Sequence, residues 1–201
     1  MKDPQQPRSE DSAKRMIEAA LKIAAEKGLA AVSVARVTAR ARTSNGALYH
    51  RFGNREGLLA AASDRLLSSI EAELTRALAD ASRVADDVQA LRTIIEAHLN
   101  VFDQREALLR AFMIEGRGEV ALARRGFAAS ALVGKAVSQW LIGRFRCSPR
   151  TADTVFRLLF AFGTARVVLP KEYSLTSYSR SDKEVRKDLL DTILKVMRNP
   201  V

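Results

Sequence analysis

The sequence predicts an all-α protein of about nine helices, with a short N-terminal head followed by a longer helical body. Two observations carry the prediction. Apolar residues recur at helical rather than strand spacing through almost all of the 201 residues. Cap and stop residues fall between those stripes rather than inside them. A third observation bears on function. The chain carries a net charge of +10, and residues 1–60 hold eleven Lys/Arg against six Asp/Glu. Between Arg36 and Arg55 stand five arginines and no acid, a pattern that points to a polyanionic partner.

The elements follow in order. Residues 1–11 are polar and read as a disordered tail. Ser12 to Lys27 then places Met16, Ile17, Ala20, Leu21 and Ala24 on one stripe, and Gly28 stands where a helix stops. Ser33 caps a short helix whose Val34 and Val37 face inward, and Thr43-Ser44 opens another that ends near Phe52. Helices this short do not persist alone in water, so they must pack on Ser12–Lys27. A longer helix runs from Asn54 to about Leu78 with Leu59, Ala62, Leu66 and Ile70 as its stripe, and DASRVAD reads as a connection. Asp86 to Phe102 is next, then the short EALLRAFMIE. After Gly116 and Gly118, Glu119 to Arg146 reads as one helix of roughly 42 Å. Ser148-Pro149 restarts the chain with a cap and a proline at the first helical position. The helix that follows is apolar on nearly every side, which predicts cover on every side, part of it from a partner subunit. Pro170 to Ser181 is a polar loop, and Ser181 with Glu184 forms a capping box for a last helix striped by Val185, Leu189, Ile193 and Val196.

Several classes are set aside. No run approaches the roughly 18 apolar residues of a membrane span. The N-terminus lacks the apolar centre of a secretion signal, so a cytoplasmic location is expected. Cys147 stands alone and cannot form an intrachain disulfide. Only two histidines are present, and no metal-ligand cluster, phosphate-cradling glycine loop or Gly-x-Ser-x-Gly elbow accompanies them. No cofactor, no metal and no enzymatic activity are expected.

The stretch TSNGALYHRFGNREGLL, Thr43 to Leu59, is unusual for a packed helix. Two short helices joined around Ala41-Arg42 match a helix-turn-helix, whose second helix enters the major groove of DNA. Gly46 and Ala47 are then small because the helix approaches a duplex closely, at a cost of about 1 kcal/mol for the glycine. Thr43, Ser44 and Asn45 put short hydrogen-bonding groups in the first turn. Tyr49, His50 and Arg51 are long enough for the backbone on the groove walls, while Leu48 and Phe52 face inward. Asn54 caps the next helix, and Arg55 extends toward phosphate.

At these residues the chain resembles the DNA-binding domain of the tetracycline-repressor (TetR) family of bacterial regulators. The resemblance covers residues 12–60 and is carried by AALKIAAEKGLAAVSVARVTARA and by the Ser44, Gly46, Leu48, Tyr49, Phe52 and Arg55 pattern. It implies a head over 12–60, a ligand-binding and dimerisation body over 61–201, and a homodimeric repressor on a palindromic operator. By position, Ser33, Thr43, Ser44, Asn45, Ala47, Tyr49, His50 and Arg55 inherit DNA contacts. Arg42 stands where the family's turn has glycine, so a positive φ there would be strained, with a phosphate contact as the offset. Arg55 replaces the family's usual lysine.

The resemblance also implies a small-molecule pocket between Asp86 and Arg146. Its candidate lining is His98, Phe102, Phe112, Met113, Phe127 and Trp140, each of which also reads as plain core packing. Glu115 and Glu119 suit a cationic ligand or equally a solvated helix end. The dimer interface expected from the last two helices comprises Phe156, Leu159, Phe160, Gly163, Val167, Leu189, Ile193 and Val196. The expected mechanism is that ligand shifts the helix from Asn54 to Leu78 and changes the separation of two recognition helices. A non-inducible or architectural DNA binder with the same head is the alternative, and a helical ligand-binding or enzyme domain with an accidental helix-turn-helix is a third reading.

Overall fold

A computed structural model describes residues 5–169 and 181–198. Among them are nine α-helices: α1 Gln5–Lys27, α2 Val34–Ala41, α3 Asn45–Phe52, α4 Arg55–Arg83, α5 Asp87–Gln104, α6 Glu106–Met113, α7 Val120–Phe145, α8 Pro149–Val168 and α9 Asp182–Arg198. Single 3-10 turns stand at Leu29–Ala31 and Glu115–Gly118. The expected all-α class is what the chain adopts. No helix among the described residues is long and apolar enough to cross a membrane. The loop expected over Pro170–Ser181 lies outside the described residues up to position 180. Residues 5–11, expected as tail, are helical, and Pro7 falls in the first turn, where a missing N–H costs nothing.

The helices group into two compact units. The first comprises the described residues to Ser68 together with Ala107–Phe127. Here α1 packs on α2 and α3, which also pack on each other. Met16, Val32, Val37, Leu48, Leu58 and Leu59 are sealed in its core. Each large side chain so buried contributes about 1.5–3 kcal/mol, which is what lets two eight-residue helices exist at all.

The second unit comprises Ser69–Glu106 and the described residues from Ala128 onward. In it α5, α8 and α9 pack mutually around Leu91, Ile95, Leu99, Leu159 and Ile193. Asp103 of α5, Arg166 of α8, and Asp182 and Arg186 of α9 close a four-membered ring of alternating charge, with contacts of 2.5–2.6 Å. Burial alone would raise the Asp182 carboxyl, but hydrogen bonds from Arg186 and Arg166 hold it below its ordinary range.

Helix α4 continues through Ser82 and Arg83, past the expected end at Leu78. The carbonyls at its end and just beyond it are taken by a distant residue. Arg144 donates to the carbonyls of Ala81 at 3.2 Å, Val84 at 2.7 Å and Ala85 at 3.1 Å. The expected caps elsewhere are present. Ser148 accepts the Thr151 N–H at 3.1 Å, and the Ser181 N–H donates to Glu184 at 2.8 Å.

The expectation for α8 needs correction. Leu159, Gly163 and Val167 are buried within the chain's own second unit, as are Leu189 and Ile193 of α9. They cannot form a surface for a partner. Phe156, Phe160 and Val196 are half-buried. The exposed apolar residues of α8 are Leu158, Phe162 and Val168, on the opposite stripe. A helix apolar all round does not tell which side faces inward; α5 and α9 decide it.

Candidate nucleic-acid interface

The turn between α2 and α3 is built by local hydrogen bonds. Ser33 caps α2 by accepting the Arg36 N–H at 3.4 Å. At the other end Arg42 adopts φ 52 and ψ 56, the left-handed conformation that its place in the turn demands. Its N–H reaches the Ala39 carbonyl at 3.3 Å, and the Thr43 N–H reaches the Thr38 carbonyl at 3.0 Å. A non-glycine residue held there carries strain of about 1 kcal/mol or more. Ser44 then caps α3 by accepting the Ala47 N–H at 3.2 Å. The Thr43 and Ser12 hydroxyls lie 3.2 Å apart, tying the turn to α1.

On α3 itself Leu48 is fully buried and Phe52 half-buried, which orients the helix. The opposite side presents Asn45, Gly46, Tyr49, His50 and Arg51, all exposed, with Ala47 at the margin. Tyr49 is 52% exposed, high for a tyrosine in a globular protein. Asn45 is steadied by Thr38, whose hydroxyl lies 2.7 Å from Asn45 Oδ1. A β-carbon built on Gly46 would find only Ser44 Oγ, 3.9 Å away. The protein's own packing therefore gives no reason for a glycine in this helix.

The arginines divide into two kinds. Arg40 is bound to Glu26 through two contacts of 2.6 and 2.7 Å, and that hydrogen bonding lowers the Glu26 carboxyl. Arg36 donates to the Ala31 carbonyl at 3.2 Å. Arg42 is exposed beside α3, and Arg51 is exposed on it. Arg55 departs most from expectation. It is half-buried, donating from Nε to the Val32 carbonyl at 2.6 Å and from Nη2 to the Leu29 carbonyl at 2.9 Å. Sequence reasoning missed this because its partners are main-chain groups. It also missed Gly57, where a β-carbon would lie 2.0 Å from the Phe52 carbonyl oxygen. The glycine is what allows the end of α3 to lie against the start of α4, whose cap Asn54 accepts the Gly57 N–H at 2.7 Å.

The candidate pocket residues are divided between the two units. Phe112, Met113 and Phe127 belong to the first unit, and His98, Phe102 and Trp140 to the second. Phe127 is 77% exposed, so it lines no interior. Met113 is at the surface and Phe112 is core. Trp140 donates its indole N–H to Ser82 at 3.0 Å and stacks near Arg144 and Phe145, a structural role at the end of α4. His98 and Phe102 do come together. They close a ring of four aromatic groups with Phe156 and Phe160, with centroids 5.3 to 6.3 Å apart around it. His98 is 3% exposed, and neither ring nitrogen has a hydrogen-bond partner. Burial lowers its pKa to about 4, against a weak opposing pull from the Leu159 carbonyl.

Residues 16–62 match the family described as bacterial regulatory proteins, tetR family. The match is confined to this N-terminal segment, which is similar to the tetR DNA-binding region. A curated relative, the HTH-type transcriptional regulator BetI of Paraburkholderia phymatum, is 32% identical over 116 residues, or 55% of this chain. The match spans 57% of that relative's length. Among solved structures, a TetR-family transcriptional regulator from Mesorhizobium loti is similar with a TM-score of 0.77 at 18% identity, covering 94% of this chain and 98% of the other. The fatty acid degradation regulator FadR from Bacillus halodurans is similar with a TM-score of 0.67 at 18% identity, over 98% of both chains. At such identities the likeness is one of fold, and this chain shares the fold of those structures well beyond the matched head.

Proposed function

We propose that this chain is a DNA-binding transcriptional regulator of the tetR kind, which reads duplex DNA through α3. One observation carries the reading. The α3 face of Asn45, Gly46, Tyr49 and His50 is exposed and includes a glycine that internal packing does not require. Ser33, Arg42, Thr43 and Ser44 border that face and supply short donors and a cation for the flanking phosphates. Ser44 and Ala47 lie at the start of α3, where the positive end of the helix dipole favours an anion.

The finer reading is a homodimer on a palindromic operator, pairing through the Leu158, Phe162 and Val168 side of α8, and released by a small molecule. His98 supports a ligand in the second unit, because a buried donor and acceptor without partners cost about 1–3 kcal/mol until something pairs with them. A second reading, a regulator that answers to no small molecule, is favoured by tight packing around the same histidine. A β-carbon on Gly134 would lie 2.6 Å from Phe156, and one on Gly163 would lie 2.4 Å from Phe102.

Selection of bound sites from a random DNA pool tests the main reading. The expected result is one enriched palindrome with half-sites about one helical turn apart. Recovery of no preferred sequence refutes it. Titration of apolar small molecules into the protein–operator complex separates release from no response.

A further inference from the structure

Arg55 is the residue that the family resemblance sends to phosphate, yet two of its nitrogens are bound to main-chain carbonyls at 2.6 and 2.9 Å. The third, Nη1, lies 3.8 Å from the Glu56 carboxylate. The carbonyls belong to Leu29 and Val32, the turn between α1 and α2. The same turn is gripped from the other side. The Leu29 N–H donates to Glu115 Oε2 at 2.6 Å. Gly28, at φ 78, leaves the space the carboxylate fills, since a β-carbon there would lie 2.8 Å from that oxygen. Gly116 admits Leu29 in the same way, its β-carbon position being 3.2 Å from Leu29 Cδ2. One peptide segment is therefore held at its N–H by an anion and at its carbonyls by a cation. All three pieces belong to the first unit.

The position of the segment explains why the grip matters. Leu29 and Val32 are buried, and the chain passes from Val32 directly to the Ser33 cap, α2 and the turn into α3. Whatever fixes the turn fixes the line along which α2 leaves it. We propose that Arg55 and Glu115 are positioning residues for DNA recognition, which clamp the Leu29–Val32 turn, and that Arg55 makes no phosphate contact. The proposal rests on the DNA-binding reading above.

The two roles for Arg55 make opposite predictions. A phosphate contact needs only a cation, so R55K would bind at nearly full strength. A clamp on two carbonyls needs the planar fork of a guanidinium, which lysine lacks. A phosphate contact also releases a counterion, and removing it lowers the slope of log affinity against log salt by about 0.9.

The probes are the duplex recovered by selection and a random duplex of equal length, measured by fluorescence anisotropy over a range of salt. Expected for R55K, R55Q and E115A is a loss of roughly tenfold on the selected duplex, with the salt slope and random-duplex binding unchanged. A variant that was merely less folded would lose both duplexes alike. E115Q, whose amide oxygen still accepts the Leu29 N–H, is expected to retain most of the affinity. R55Q with E115A should lose less than the product of the two, because both hold one turn. If R55Q does not fold, R55K and the two Glu115 variants decide the matter. R55K at wild-type affinity, or R55Q with a slope lowered by about one, overturns the proposal alone. Wild-type protein that prefers no sequence overturns the DNA-binding reading as well.

Discussion

Gly46→Ala separates what the fold needs from what recognition needs. In the free protein an added methyl group on α3 meets nothing closer than Ser44 Oγ at 3.9 Å. No steric cost therefore opposes the gain in helix propensity, which is about 1 kcal/mol inside a helix and less in a first turn. G46A should stabilise the protein by about 0.5–1 kcal/mol, raising the melting temperature by roughly 1–4 °C for a chain of this size. Against DNA the sign reverses. A methyl group driven into a close helix–duplex contact behaves as overpacking, at about 1–3 kcal/mol, so Kd for the selected operator should rise roughly 5- to 150-fold. Thermal denaturation and anisotropy titration on the same preparation give both numbers. A variant that melts higher and binds the operator unchanged refutes the reasoning, because close approach would then not be why a glycine is there. Gly57 supplies the contrast. G57A puts a β-carbon 2.0 Å from the Phe52 carbonyl and should destabilise by about 3 kcal/mol in the absence of any DNA.

Three further outcomes are expected. R42G relieves a left-handed arginine at φ 52, so it should gain about 1 kcal/mol of stability while lowering the operator salt slope by about one; a loss of stability counts against it. His98 has a folded pKa of about 4 against an ordinary 6.5, so only the unfolded chain takes up its proton between those values. Its contribution is complete above pH 6.5 and declines toward pH 4, and denaturant titrations should find wild type losing about 2–3 kcal/mol more than H98L between pH 7 and 4.5. The L158E/F162E double variant alters side chains that are 37% and 36% exposed, so under the proposed pairing it should keep its helical content yet sediment as a monomer while wild type sediments as a dimer. Persistence of the dimer would move the interface elsewhere.

What was legible in the sequence was local chemistry. Ser33, Ser44, Asn54, Ser148 and Ser181 each bond a group three residues on, and spacing of that kind is visible without coordinates. The exposed side of α3 was legible as well, from its lack of large apolar residues. Three things were not. The end of α4 depends on Arg144, about sixty residues downstream, which supplies the cap that DASR lacks. The inward side of α8 depends on α5 and α9, since an all-round apolar helix has no intrinsic orientation. The role of Arg55 depends on carbonyl groups, which every residue carries and no sequence distinguishes. The surroundings of Phe127 and Trp140 were not legible for a related reason. A large aromatic residue looks the same whether it is buried, exposed at 77%, or fastened by its N–H to a neighbouring helix.

Gly46, Tyr49 and His50 have almost no duties toward the rest of the molecule, whereas Leu48 and Gly57, close by in the chain, are fixed by its interior. The two sets interleave along one short segment. If α3 reads DNA as proposed, an operator preference can drift, or be transplanted from a cousin, by exchanging three residues while the scaffold beneath stays as it is.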